Sequence, residues 1–580
     1  MHSVVISQLR TGYIPTSSAE LALVHTYVTN LAEHEETIPN VQRYLDSAKS
    51  LTSPIRKLPS DILCEIFALL CFCQSLSKSA QRVEAISAST LKLTWICSFW
   101  RKLIHSYSAL WSNLDILTWS FDNRRGYLES LFHSISLSGT SALNFKLDIF
   151  LPLHSNSRKA VDILLDQSAR WRQVKITFHG AGEKNIRDWS SYAVDRLHSI
   201  FEDSHRKVES YFPILESLKL ISHHGESSYR GFLHSLSLCP NLRTFHVFGA
   251  RFSWSAFGCI DLSHITELNV SMLTGKSIAH LLYRFPLLQK CEVNRFDQNS
   301  RSDLDSIMDL GKDRYYSSNL VHLTIRCNNY CLPHGAWTSL CLPKLSELVL
   351  YHEHQTSEPL QFQYLTEFTS MLIRSQCSLN KLVLRGLPVA SEALQDIIAL
   401  PTLTDSMEKF SVYLDISQVE SLTGISDLLT FRDDSPSTAS NLESISIWLN
   451  TMAAVTSPDT YYSSAYNKQV SKESVRLLEN MMETTGLFEM VKSRCPSFST
   501  ASASKKLKEF TLNIVYWDAD ENLVKYFAEV VAHQFGHLRK RDGLEVSISR
   551  LIVEGNVEIG NILMRQKRKL FQRTRQAIST

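Results

Sequence analysis

LSELVL at 345–350, LNKLVL at 379–384 and MEKFSV at 407–412 share one template: an apolar residue, two variable, an apolar, one variable, an apolar. The last two apolar positions are two residues apart, the spacing of one face of a β-strand. Working outward, the template recurs upstream at Leu215-Leu218-Leu220, Leu242-Phe245-Val247, Ile265-Leu268-Val270, Leu288-Cys291-Val293 and Leu320-Leu323-Ile325. Downstream it recurs at Leu442-Ile445-Ile447 and Leu507-Phe510-Leu512. From Leu218 to Phe410 the middle positions are separated by 27, 23, 23, 32, 25, 34 and 28 residues, a mean near 27. Several strands follow a proline turn: Phe212-Pro213, Cys239-Pro240, Phe285-Pro286 and Leu342-Pro343. A helix such as GKSIAHLLYRF (275–285) would have to end just ahead of that proline.

A period of that length falls inside the roughly 20–29 residues of leucine-rich repeats, one short strand per turn. The expectation is a βα coil that stacks its neighbours' faces into one continuous core. A doubly wound α/β domain also alternates strand and helix, but some eleven similar units without a Gly-rich fingerprint favour the solenoid. Uneven spacing predicts an uneven curve. Alternation at Leu143, Phe145, Leu147 and Ile149, and then in WRQVKI from Trp171 to Ile176, starts the array. Polar or Ser/Thr/Ala-rich stretches at 432–441, 453–471 and 497–506 read as surface insertions flanking a helix at 471–491.

The composition sets the frame for this array. The chain has 580 residues, 44% apolar and 20% charged, too many for one compact core. Sixty Lys+Arg against 58 Asp+Glu leave +2, which gives no global attraction to nucleic acid or an anionic membrane. Twelve scattered Cys with no CxxC pair argue for a reducing compartment, cytosol or nucleus. MHSVVISQLR lacks a basic segment leading into an apolar run, so no signal peptide is expected, and the Asn269-Val-Ser271 sequon is expected to stay bare. The longest apolar block, ILCEIFALLCFC at 62–73, is too short to cross a bilayer.

Ahead of the array the period is helical. Ser17 and Ser18 before Glu20 form a cap, and Leu21, Val24, Val28 and Leu31 share one face. Pro39 breaks the pattern, and Val41, Tyr44, Leu45 and Ala48 begin a second stripe. Two helices docked on their own chain fit better than a coiled-coil dimer, for which there are fewer than three clean heptads. Then comes SPIRKLPSDILCEIFALLCFC (53–73), with Pro59 tolerated in a first turn and Ser60 and Asp61 at the helix start. Ile62, Leu63, Ile66, Phe67, Leu69 and Leu70 make a broad apolar face. After a polar stretch, Leu93, Ile96, Cys97, Trp100, Leu103 and Ile104 recur at three and four, and Leu110 and Trp111 close the unit.

LPSDILCEIF, then ICSFWRKL, then ALWSNL resemble the F-box, a compact three-helix module, and the whole arrangement is similar to the large F-box family of mushroom-type fungi. The likeness covers residues 10–118 well and the remainder in general pattern. The segment between the helices, about 71–92, is longer and more polar than in a minimal F-box, and Phe99 stands where a basic residue is usual. The resemblance implies docking on a Skp-type adaptor and, through it, on a cullin-based ubiquitin ligase. It implies an adaptor-facing surface begun by Leu58, Pro59, Ile62, Leu63 and Ile66, with Ile96, Trp100, Leu103 and Trp111 completing the module's core or its adaptor face.

Other chemistry is thin. Gly275-Lys276-Ser277 lacks the first glycine of a phosphate loop, since position 270 is Val270. Cys327, Cys331, His334 and Cys341 have zinc-binding types but not knuckle spacing, and His223-His224 and His352/His354 read as loop histidines. No catalytic constellation occurs, so neither an enzyme, a metal nor a cofactor is expected. The fold expected is α+β and multi-domain: a helical segment at 1–53, a small all-α F-box at 54–118, an irregular α/β leucine-rich-repeat solenoid at 119–555 and a basic tail at 556–580. The tail, with six basic residues in MRQKRKLFQRTRQ (564–576), could serve nuclear import or simply be solvated. The function expected is substrate recruitment to a cullin ligase, with neither nucleic acid nor membrane as partner; the alternative is a binding scaffold outside ubiquitination. Substrate contacts are expected from strand residues between the buried positions: Lys219, His246, Asn269, Glu292 and Thr324, with Val349 and Val383.

Overall fold

The computed structural model describes residues 17–33, 41–73, 88–118, 126–150, 154–179, 212–222, 239–248, 263–271, 278–297, 316–327, 337–352, 365–385, 391–404, 406–415, 419–430, 441–450, 485–495, 507–516 and 545–552, with a few isolated positions. The fold is mixed α/β, dominated by parallel β structure, and the chain divides into two compact units. The 453–471 and 497–506 insertions, most of 432–441 and the basic tail lie outside the described residues, as do Cys331, His334, His223-His224 and His354. No described helix is long and apolar enough to cross a membrane, and no described cluster of His, Cys, Asp and Glu could hold a metal ion.

The first unit opens with a helical hairpin, α1 (Ser18–Glu33) and α2 (Val41–Leu51). Ser17 and Glu20 form a reciprocal capping box: the Glu20 carboxylate accepts from the Ser17 N–H at 3.0 Å, and the Ser17 hydroxyl from the Glu20 N–H at 3.2 Å. The two apolar stripes meet, with Val24, Tyr27 and Val28 packed on Ala48 and Leu51. Next come α3 (Ser60–Cys73), α4 (Ala88–Thr94) and α5 (Ser98–Ser106), around a core of Leu63, Phe67, Cys71, Ile104, Leu110 and Trp111.

Five strands follow: β1 (Asn113–Leu117), β2 (Leu143–Phe150), β3 (Trp171–His179), β4 (Ser217–Ser222) and β5 (Thr244–Phe248). They pair in parallel and in chain order, with α6 (Tyr127–Leu137) joining β1 to β2 and α7 (Ser155–Leu165) joining β2 to β3. The stretch assigned to the helical module therefore ends sooner than 118. Leu114 and Ile116 alternate with half-exposed neighbours, and that two-residue period sends 113–117 into the sheet.

The second unit has short β6 (Phe252–Ser253) and then β7 (Glu267–Val270), β8 (Leu273–Thr274), α8 (Ile278–Arg284), β9 (Lys290–Asp297), β10 (Tyr316–Ser317), β11 (His322–Cys327), β12 (Leu340–Cys341) and β13 (Glu347–His352). It continues with α9 (Leu365–Ser375), β14 (Lys381–Arg385), α10 (Ser391–Ile398), α11 (Pro401–Thr404), β15 (Lys409–Asp415), α12 (Val419–Leu429), β16 (Ser444–Asn450), α13 (Leu487–Ser493), β17 (Glu509–Tyr516) and β18 (Glu545–Ile552). Nine of these strands, β7, β9, β11 and β13 to β18, pair in parallel and in chain order.

The template explains the stacking. Its fourth positions form one line across the second unit, Leu268, Cys291, Leu323, Leu348, Leu382, Phe410, Ile445 and Phe510, all buried. Its first positions close turns: the Leu215, Leu242, Leu288 and Leu345 N–H groups donate to the carbonyls of Phe212, Cys239, Phe285 and Leu342. A proline follows each of those acceptors, at the turn position its fixed φ suits. Each strand is also tied to its predecessor by one carbonyl that takes two successive N–H groups: Thr266 from Gln289 and Lys290, Gln289 from Val321 and His322, Val321 from Ser346 and Glu347. The same pattern continues through Ser346, Asn380, Glu408 and Glu443. Helices α8, α9, α10 and α12 bury stripes at three and four: Ile278-Leu281-Leu282, Phe368-Met371-Leu372, Leu394-Ile397-Ile398 and Leu422-Ile425-Leu429.

Candidate docking surfaces

Helix α3 is apolar on two sides. Leu63, Phe67 and Cys71 point into the core, while Ile62, Leu69 and Leu70 are 45%, 62% and 46% exposed and Ile66 is half-buried between them. The 62, 66, 69, 70 spacing places these four on one outer stripe. The turn between α4 and α5 adds Trp95 and Ile96, 72% and 59% exposed. Cys97 fixes that turn, its Sγ accepting from the Trp100 N–H, and Arg101 Nε donates to the Thr94 carbonyl at 3.0 Å.

The structure separates the residues expected on this face. Pro59, Ile62 and Ile96 are exposed, and Leu58, Ile66, Trp100 and Leu103 are half-buried, with Leu58, Trp100 and Leu103 packed against the core. Leu63 does not belong to the surface: it is fully buried beneath α3, one residue round the helix from Ile62. Trp111 is buried too, its ring N–H donating to the Ile104 carbonyl at 2.8 Å, and so belongs to the core half of the expectation. Leu69 and Leu70 complete the outer stripe of α3, and Trp95 stands exposed in the α4–α5 turn. The apolar run 62–73 contained Leu69 and Leu70 but could not say which side each would take.

The other surface is the strand face opposite the buried lines. In the first unit the register aligns Asp115, Lys146, Lys175, Lys219 and His246 on successive strands. Lys146 lies 3.6 Å from the Asp115 carboxylate and 3.3 Å from that of Asp148. Burial alone would lower the Lys146 pKa, but the two carboxylates outweigh it and raise it. Burial raises the Asp115 pKa, with Lys146 opposing. Lys219 reaches over the Phe248 ring, Nζ 4.6 Å from its centroid, and His246 meets Phe248 edge-on.

In the second unit the equivalent row is Asn269, Glu292 and Thr324, continued by Val349 and Val383. It is more closed than expected for a contact surface. Asn269 is 7% exposed and its Nδ2 donates to the Glu292 carboxylate at 2.6 Å, while its side-chain Oδ1 accepts from Asn294 Nδ2 at 2.8 Å. Glu292 also faces Arg326 at 3.5 Å. Val349 is 7% exposed, so neither it nor Asn269 stands open to a partner, because neighbouring strands hold them. Lys290 with Glu267 at 2.7 Å and Lys381 with Glu347 at 3.3 Å tie the next row together. No family model matches the chain, and no curated protein matches its sequence.

Proposed function

We propose that the chain recruits protein substrates to a cullin-based ubiquitin ligase. In this reading 54–112 is an F-box whose α3 stripe and α4–α5 turn dock on a Skp-type adaptor. The parallel array is an irregular leucine-rich-repeat solenoid whose outer strand face receives the substrate. The observation that carries it is the set of large apolar side chains, Ile62, Leu69, Leu70, Trp95 and Ile96, left in water by one small helical module. Large apolar side chains left exposed in such number on one small module point to an interaction site. Parallel pairing in chain order, one strand per template, supports the solenoid, since each coil then contacts chiefly its neighbours. Bond-making belongs to other subunits, and this chain supplies proximity and orientation.

The test is co-expression with a Skp-type adaptor. Wild type should co-purify with it, whereas Ile62→Glu with Leu69→Glu, two outward positions, should abolish recovery while circular dichroism stays unchanged. Leu58→Ala with Pro59→Ala should do the same. Unchanged recovery in both double variants would sink the reading.

One observation favours a second reading, a binding scaffold whose helices only cap the array. Leu137 of α6 packs against the helical core, and the Ser108 and Ser141 hydroxyls meet at 2.7 Å. A chain that never captures an adaptor, and unfolds when 54–112 is removed, would favour the cap.

A further inference from the structure

We propose that the strand face of the first unit binds an acidic segment of a protein partner, one carboxylate seating between Lys175 and Lys219. This deepens the recruiting reading and rests on it for the partner's role as substrate.

Lys146, Lys175 and Lys219 occupy directly opposed positions on β2, β3 and β4. Adjacent strands run about 4.8 Å apart, and like charges set opposite one another across a sheet are destabilising. Among the described residues an ion pair relieves this at Lys146, flanked by Asp115 and Asp148. One strand further on, Lys175 and Lys219 have no acidic partner among the described residues. Lys175 is half-buried, and its pKa is lowered by burial first and then by Lys146 and Lys219, against the opposing pull of Asp148 and Asp115. Phe248 holds the Lys219 side chain along the face.

A second, independent observation lies two residues along β3 on the same face. Thr177 is 5% exposed, and its Oγ1 has no hydrogen-bond partner among the described residues. A buried hydroxyl without a partner is a donor held in reserve, since leaving one unsatisfied is costly.

The face itself indicates a carboxylate. Asp115, Lys146 and Asp148 show that carboxylates fit between these strands, and the β3–β4 position repeats the lysines without the acid. Nucleic acid suits it poorly: a phosphate backbone needs a long run of unpaired cations, and Asp115 and Asp148 close this row on one side.

The experiment is fluorescence anisotropy of the full chain with labelled hexaglutamate, hexaglutamine and oligouridylate. Hexaglutamate should bind and hexaglutamine should not. Lys175→Gln and Lys219→Gln should each weaken binding about tenfold, the scale of one charge-assisted contact. Lys290→Gln, whose lysine is already held by Glu267, should stay within about twofold. Unchanged affinity in the Lys175→Gln/Lys219→Gln chain, an equal loss in Lys290→Gln, or oligouridylate binding with the same lysine dependence would each overturn the proposal. Adaptor capture by the same variants keeps the two readings apart. Retained capture with lost peptide binding supports both, whereas peptide binding in a chain that captures no adaptor leaves the site standing and removes the recruiting role.

Discussion

Thr177 separates stability from binding at the scale of one side chain. Its hydroxyl, without a partner among the described residues, has the shape of a valine methyl, so Thr177→Val should raise stability by about 1 kcal/mol while weakening hexaglutamate binding. A urea titration checks the first effect, and a loss of stability would mean that the hydroxyl has a partner in solution. Conversely, Leu218, Leu268, Leu323, Leu348 and Leu382 are all at most 2% exposed, and each Leu→Ala change should cost about 2–5 kcal/mol. The thiols carry a pH signature. Burial pushes Cys239 and Cys291 up to about 12 and Cys377 up to about 11, from an ordinary 9.0. A folded-state pKa raised above its unfolded value gives stability that is full below pH 9 and lost as pH rises through 11 to 12. The urea midpoint should therefore fall above pH 9, and Cys291→Ala should flatten that fall relative to wild type.

At the scale of elements, the template reads correctly because both of its spacings are physical. Two residues return a side chain to the same strand face, and three reach back to the turn that aims the strand. All ten triplets from Leu215-Leu218-Leu220 to Leu507-Phe510-Leu512 are buried in or just ahead of a strand. Strand β1 was illegible because it follows directly on helical residues. Strand β18 was missed because Gly543 stands where the leading apolar residue belongs. The lysine row was harder still: Lys175 follows Val174 as Lys219 follows Leu218, but only cross-strand register shows that, among the described residues, the ion-paired acids sit beside Lys146. The sequence is equally silent on two arginines that bind main-chain carbonyls far away along the chain. Arg374 at the end of α9 donates to the Leu340 carbonyl at 2.7 and 3.0 Å and to that of Trp337 at 2.8 Å, and buried Arg494 donates to that of Leu429 at 2.5 Å. Arg374→Met, which keeps the stem and removes the donors, should cost about 1–3 kcal/mol in thermal or urea unfolding. No change would mean that water replaces the guanidinium freely.

For the molecule as a whole, the consequence of pairing in chain order is that cohesion is local. Among the described residues of the second unit, β13 pairs with β11 and β14 alone, and β16 with β15 and β17 alone. Damage at one strand should then spread through nearest neighbours and fade, unlike in a core where every element meets every other. Leu348→Ala opens a cavity at the β13 line, and an opening cost lowered by about 2–3 kcal/mol corresponds to roughly a hundredfold faster amide exchange. That acceleration should appear in β11, β13 and β14, while β16 and β17 change by less than about threefold, as read by hydrogen exchange with mass spectrometry. Equal acceleration across all nine strands would show that the unit opens as one cooperative body. Nearest-neighbour stacking would then be the wrong description of the energetics of this parallel array.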